Sequence, residues 1–241
     1  PVLKNSELIL TISKDTERKV LSINPSIKTF VTYCTTSYYS EEVTQAQKDE
    51  VLNKFAVKSK RYFIFISALD KRKNLNSMIR AYAEAYKKIK AKFLIIGSEG
   101  YDFNETKSLL MNFPQDINKN IIFAGHVSEA EKRVLLENSL FLIFTTLYEG
   151  AGIPIIEAYR EGVPIIASNI GAIPEYAGSG AIYVQNPYNF KEISEKMVTL
   201  FKKGAPNYEL INKLKERGMK YFQKFTEEKF TERLKQALEK L

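Results

Sequence analysis

Cysteine and histidine are almost missing from this chain of 241 residues, and tryptophan is missing altogether. The one cysteine, Cys34, excludes an intramolecular disulfide, and with His126 as the one histidine no Cys/His zinc cluster can be assembled. No apolar run approaches the roughly 18 residues that a bilayer-spanning helix needs. The opening PVLKNSELIL carries neither a basic n-region nor a small-residue cleavage site, so a cytoplasmic location is expected. Tandem repeats, low-complexity tracts and glycine/serine linkers are also lacking.

What is present is an ordinary globular composition, 44% hydrophobic and 27% charged, sufficient for one large or two small domains. The net charge is +8. Its lysines are spread along stretches such as AYKKIKAK and LINKLKERGMKYFQK, which reads as solvated helix faces, with an anionic ligand or membrane surface as the alternative.

From residue 62 onward short apolar runs alternate with amphipathic stretches: YFIFIS, KFLIIG, NIIFAG, LFLIFTT, VPIIAS and AIYVQ, each followed by a helical pattern. Buried parallel strands have this character, and six strand–helix units predict an α/β fold, a Rossmann-like doubly wound parallel sheet of about six strands. Helix starts carry their own signals: Ser128 with Glu131 forms a capping box that starts a helix at Glu129, Pro154 suits a first turn, and Asn189 and Thr226 are N-cap residues. Residues 1–60 differ. ELILTIS, KDTERKVL and KTFVTYC read as strand, helix and strand, and SYYSEEVTQAQKDEVLNKF as a polar connector ending in a helix; this looks like the tail end of a preceding unit.

The stretch FLIFTTLYEGAGIPIIEAYRE combines a buried strand with two glycines, a proline and two carboxylates. Placed between strand and helix, Glu149, Gly150, Ala151 and Gly152 form a loop at the carboxyl edge of the sheet, where ligands of open α/β folds bind. The first N–H groups of the helix have no internal partner, and glycines let an anion approach them. Glu149 before the turn and Glu157 after it can each accept hydrogen bonds from sugar hydroxyls, a combination that suits a nucleotide sugar. The same residues would equally serve a tight turn followed by a helix acid favoured by the dipole.

The passage YEGAGIPIIEAYREGVPIIASNIGAIPEYAG resembles the signature of the family-four (group 1) retaining glycosyltransferases of the GT-B class, whose central E-x7-E motif stands here as Glu149 and Glu157. The resemblance runs over most of residues 8–241. It implies that residues 56–241 form the C-terminal nucleotide-sugar-binding domain, and that residues 1–55 are the tail end of an N-terminal acceptor domain plus linker, with the last helix packing back toward that segment. It also implies that Glu149 contacts the donor sugar, that Glu157 binds the ribose, and that the backbone of Gly150, Ala151, Gly152 and Ile153 meets the diphosphate or sugar. Family members use the loop Gly125, His126, Val127 for the base, and Ser67 would line the cleft. Ala68 stands where the family has an arginine, so Lys73 and the neighbouring Arg72 of the KRKN run are expected to share neutralisation of the leaving diphosphate, as in a subgroup resembling GDP-mannose-dependent transferases. Alanine at 151, where a larger side chain is usual, leaves the donor open between GDP- and UDP-linked hexoses.

The implied activity is metal-independent hexosyl transfer with retention, making a bacterial surface polysaccharide, lipopolysaccharide or glycolipid. No cofactor beyond the donor substrate and no metal site is implied, and the fragment alone is expected to be inactive. The implied partners are the nucleotide sugar, a saccharide or lipid-linked acceptor, the acceptor domain and a peripheral membrane contact, with no nucleic acid. A non-catalytic nucleotide-sugar-binding module or partner subunit is the alternative. A dinucleotide-binding oxidoreductase fits poorly, because Ile155 occupies the place of the third glycine in G-x-G-x-x-G.

Overall fold

The computed structural model describes residues 5–36, 42–100 and 103–241. Six fully parallel strands form the main sheet: β3 (Tyr62–Ile66), β4 (Lys92–Ile96), β5 (Ile121–Gly125), β6 (Phe141–Phe144), β7 (Ile165–Ser168) and β8 (Ala181–Val184). β1 (Leu8–Thr11) and β2 (Lys28–Val31) make a separate parallel pair. The spatial order of the main sheet is β5-β4-β3-β6-β7-β8. The chain therefore steps outward from β3 to one edge, returns to the centre at β6, and steps outward the other way. This reversal between β3 and β6 is the switch point of a doubly wound fold, where loops diverge and leave a crevice.

Both faces of the sheet are covered, which is why its strands read as unbroken apolar runs. Phe63, Phe65, Phe93, Ile95, Phe141 and Ile143 pack on α3 (Leu75–Ile89) and α9 (Phe190–Thr199) through Met78, Ile79, Tyr82, Ile193 and Met197. On the opposite face Ile64, Leu94, Leu142 and Phe144 meet α6 (Glu129–Glu137), α7 (Ile153–Arg160) and α8 (Ile173–Ala177) through Leu135, Ile155, Ile156, Tyr159 and Ile173. Each such side chain removed from water contributes about 1.5–3 kcal/mol. The caps read from the sequence are made: Glu131 N donates to Ser128 Oγ at 3.2 Å while Ser128 N donates to Glu131 Oε2 at 2.9 Å, and Asn189 and Thr226 accept from the first turns of α9 and of α11 (Glu227–Leu238).

α1 (Lys14–Ile23) crosses between β1 and β2, and α2 (Gln45–Lys54) follows the connector, whose residues 37–41 lie outside the described residues. The N-terminal unit is fastened to α8. The Glu175 carboxylate accepts from Lys14 N and Asp15 N, both at 2.8 Å, and the Tyr176 hydroxyl accepts from Cys34 N at 3.0 Å and donates to Ile12 O. The Tyr33 ring stands edge-on to Tyr176 and Phe225, with Arg233 of α11 over its face and Lys240 over Phe30. Burial, with Glu175 next, pushes the Tyr33 hydroxyl up to about 12.

The helical pattern that follows AIYVQ, NFKEISEKMVTLFKK, is helical only as far as Thr199; Phe201–Lys202 becomes β9, paired antiparallel with β10 (Ala205–Pro206) around Lys203 and Gly204. Both turn residues have positive φ, the conformation that lets a two-residue turn follow the strand twist. The chain then enters α10 (Tyr208–Phe222). No helix among the described residues is long and apolar enough to cross a membrane.

Candidate functional site

The loops leaving β3 and β6 meet at the switch point. After β3 the chain makes a single 3-10 turn, Lys71–Lys73, and Asn74 enters α3 with φ 61°. The Asn74 amide donates to Thr145 O at 2.8 Å and to Pro187 O at 2.7 Å, and Leu147 N donates to Arg72 O at 2.9 Å. The turn is thus tied to the end of β6 by groups that carry no charge. Its cations then reach across: Lys73 Nζ donates to Glu149 Oε1 at 2.7 Å, and Arg72 donates to Glu149 Oε2 and to Tyr148 O, both at 3.0 Å. Glu149 is 7% exposed and the Lys73 side chain 11%, whereas Arg72 is open to solvent. Arg72 also pairs with Asp70 at 3.6 Å, so the two cations are balanced by two carboxylates.

From Glu149 the chain runs through Gly150, Ala151 and Gly152 into α7. Among the described residues no acceptor is paired with the N–H of Ala151, Gly152 or Ile153; the helix ladder begins with Ile155 and Ile156 donating to Gly152 O. These donors lie at the positive end of the α7 dipole. A side chain at Gly152 would place its Cβ 2.9 Å from Tyr176 Cβ, so glycine is what allows the loop to lie against α8.

Glu157 sits at the fifth position of α7, in its second turn, which weakens the reading of it as a first-turn dipole acid. It is 7% exposed and accepts from Lys132 Nζ of α6 at 2.8 Å. Lys132 also pairs with Glu129 at 2.8 Å. Nothing in the local sequence marked Lys132, because the partners lie 25 residues apart on different helices and meet only once α6 and α7 pack on the same face.

The remaining residues singled out from the sequence sit at the same carboxyl edge of the sheet. Ser67 follows β3, and its carbonyl lies where a Cβ on Gly97 would be, so a side chain there is excluded. Gly125 ends β5 with φ 67°, and Gly125 and His126 are exposed, while Val127 is buried in the core. Ile153 is exposed. A cavity of about 150 Å³ beside the 3-10 turn is lined by Asp70, Asn74, Glu105, Leu147 and Tyr188 and includes neither Glu149 nor Glu157. The hydroxyls of Thr145 and Thr146, at the end of β6, are buried without hydrogen-bond partners among the described residues.

The N-terminal unit reaches the same loop. A Cβ on Gly150 would lie 3.4 Å from Ile12 Cδ1 and 3.7 Å from Thr16 Oγ1, and Lys19 Nζ stands 4.2 Å from the Tyr148 ring centroid. The Lys19 ammonium is held above its ordinary range, chiefly by its hydrogen bond to Asp15.

The chain is a doubly wound, Rossmann-like α/β sheet with a cationic turn, Glu149 and unpaired helix-end amides gathered at its switch point. Residues 47–221 match the family described as Glycosyl transferases group 1, and the chain belongs to that family. It is 26% identical over 197 residues to O-antigen chain mannosyltransferase B of Escherichia coli, covering 80% of this chain and 51% of that protein. Its fold is that of a glycosyltransferase from Rickettsia africae ESF-5, with a TM-score of 0.81 at 19% identity over 97% of this chain and 63% of that one. The Anabaena Alr3699/HepE structure in complex with UDP-glucose superposes with a TM-score of 0.82 at 14% identity, covering 98% of this chain and 64% of that one. The chain spans about half the length of the curated mannosyltransferase it matches.

Proposed function

We propose that this chain supplies the donor-binding half of a retaining glycosyltransferase that moves a hexose, of the mannose type or related, from a GDP- or UDP-linked donor to a saccharide or glycolipid acceptor. The observation that carries the reading is the convergence of Lys73, Arg72, Glu149 and three free backbone N–H groups at one crevice. In this reading the diphosphate lies against the amides of Ala151, Gly152 and Ile153, between the sugar over Glu149 and the ribose beside Glu157. The base rests on the backbone of Gly125, His126 and Val127, and Ser67 lines the cleft.

Breaking the anomeric C–O bond leaves the electron pair, and so negative charge, on the departing diphosphate. Fixed cations and amides that need no reorganisation stabilise that charge. Each Glu149 oxygen accepts one N–H and keeps a further lone pair, so the carboxylate can accept from a sugar hydroxyl without releasing Lys73 or Arg72. Departure of the leaving group on the face of attack, with its phosphate oxygen taking the acceptor proton, gives retention without a metal. The acceptor is held by a separate domain, and this chain alone turns over no donor. The relative's role in O-antigen assembly supports a place in bacterial lipopolysaccharide or other surface polysaccharide synthesis, in the cytoplasm or peripherally at the inner membrane face.

Calorimetry with UDP, GDP and ADP tests the site. Glu157→Ala and Lys73→Ala are each expected to weaken binding of the preferred nucleotide by about tenfold or more, the value of a lost charge-assisted hydrogen bond. Arg72→Gln, at a more exposed position, gives the same test with the buried Lys73–Glu149 pair left in place. Unchanged affinity in all three variants would remove the site assignment. Donor binding by the full-length protein without nucleotide release for any acceptor would point instead to a non-catalytic module.

A further inference from the structure

The edge of the sheet opposite the candidate site carries a second concentration of charge. Lys87, Lys88 and Lys90 lie at the carboxyl end of α3, just before β4 begins, and Lys202 and Lys203 on the β9–β10 hairpin that follows α9. The hairpin turn touches the end of α3, since a Cβ on Gly204 would stand 3.8 Å from Lys88 O. All five lysines are exposed, and none is paired with an acidic side chain among the described residues. Four of them rim a groove of about 630 Å³ whose floor includes Val198 and Phe201. The groove continues between α3 and α9 past Glu84, Glu195 and Lys191, where the two carboxylates offset the basic charge.

A second observation concerns the backbone. Lys90 and Lys203 have φ of 44° and 52°, the left-handed region in which glycine is the easier residue. Lysine stands at both positions against that preference, and both side chains belong to the basic rim.

We propose that this lysine face docks the protein on a bilayer rich in anionic phospholipid. The cations are all lysines, point charges without the planar fork of arginine, and the one aromatic residue of the groove, Phe201, is packed against the core rather than offered for base stacking. These features suit a diffuse plane of headgroup phosphates better than a nucleic acid. Because all six strands run the same way, docking by this edge turns the Glu149 and Glu157 edge away from the lipid. The docking itself does not depend on the donor-site reading; only its consequence for acceptor geometry does.

Co-sedimentation with vesicles of equimolar phosphatidylglycerol and phosphatidylcholine, against phosphatidylcholine alone, is the test. Salt-sensitive binding to the anionic vesicles only is expected. Each lysine near such a surface strengthens binding by roughly fivefold, so the combined Lys87→Glu, Lys88→Glu, Lys202→Glu variant should lose at least about a hundredfold with its melting temperature retained. The glutamine variants at the same positions serve if charge reversal unfolds the chain. A control of equal charge change on α10 and α11, Lys213→Glu, Lys220→Glu, Lys235→Glu, should lose far less. No binding to anionic vesicles, equal loss in the control, or displacement from vesicles by duplex DNA at matched phosphate concentration overturns the proposal.

Discussion

Glu157 and Lys132 lie on successive crossover helices and hold each other's charge in a place with little water: the carboxylate residue is 7% exposed and the lysine side chain 16%. Removing Lys132 leaves the Glu157 carboxylate desolvated without its partner, whereas removing Glu157 leaves Lys132 with Glu129. Lys132→Met is therefore expected to lower stability to urea by about 2–4 kcal/mol, while the double variant Lys132→Met, Glu157→Gln recovers at least about 1 kcal/mol of that loss. Strictly additive losses would show that the two side chains do not interact. At this scale the sequence was legible only where chemistry is written locally. Glu149, Gly150, Gly152 and Glu157 stand within nine positions of one another and could be read as a loop that invites an anion. Lys73 and Arg72 were reached through the resemblance, and the contact with Glu149 that joins them 76 and 77 positions away comes from strand order. Lys132 had no signal at all, being one lysine among many on a polar helix.

Among elements, α10 shows how a close approach dictates residue choice. Gly218 lies inside this helix, where glycine ordinarily costs about 1 kcal/mol relative to alanine. A Cβ there would come within 2.4 Å of Tyr159 Cδ1, so α10 can lie on α7 only with glycine at that position. Gly218→Ala should destabilise the protein by about 1–3 kcal/mol by thermal melting, although alanine is the better helix former. A second test concerns the start of β3. Lys60 donates from Nζ to Glu137 O at 2.6 Å at the end of α6 and to Ser139 O at 2.9 Å just beyond it, and burial, with nearby Lys215, pulls its ammonium down to about 8. An unfolded lysine keeps its proton to about 10.4, so between these values the unfolded chain binds more protons and folding stability rises with pH. Melting temperatures from pH 8 to 9.5 should rise for the native chain and stay flatter for Lys60→Met. The six strands and the capped helices were readable because burial on both faces and N-cap chemistry are short-range patterns. The β9–β10 hairpin was not, because TLFKK continues the helical periodicity of α9 and only the pair of positive-φ residues, Lys203 and Gly204, turns it back.

Across the whole molecule, residues 8–31 form a small βαβ unit whose attachment rests heavily on two side chains of α8, Glu175 and Tyr176. Glu175→Ala leaves Lys14 N and Asp15 N at the start of α1 without acceptors. Amide exchange should accelerate through β1, α1 and β2 while protection of the six-stranded sheet is unchanged; equal acceleration in both would show that the unit does not open by itself. The Lys73–Glu149 pair has a consequence for the making of the protein. Its halves are separated by the whole of β4, β5 and their crossovers, a long loop whose closure entropy is met only when β6 settles beside β3. A chain emerging from a ribosome has no such crevice until that central pairing is complete. A ligand that binds this crevice would add stability only to chains in which that central pairing is complete.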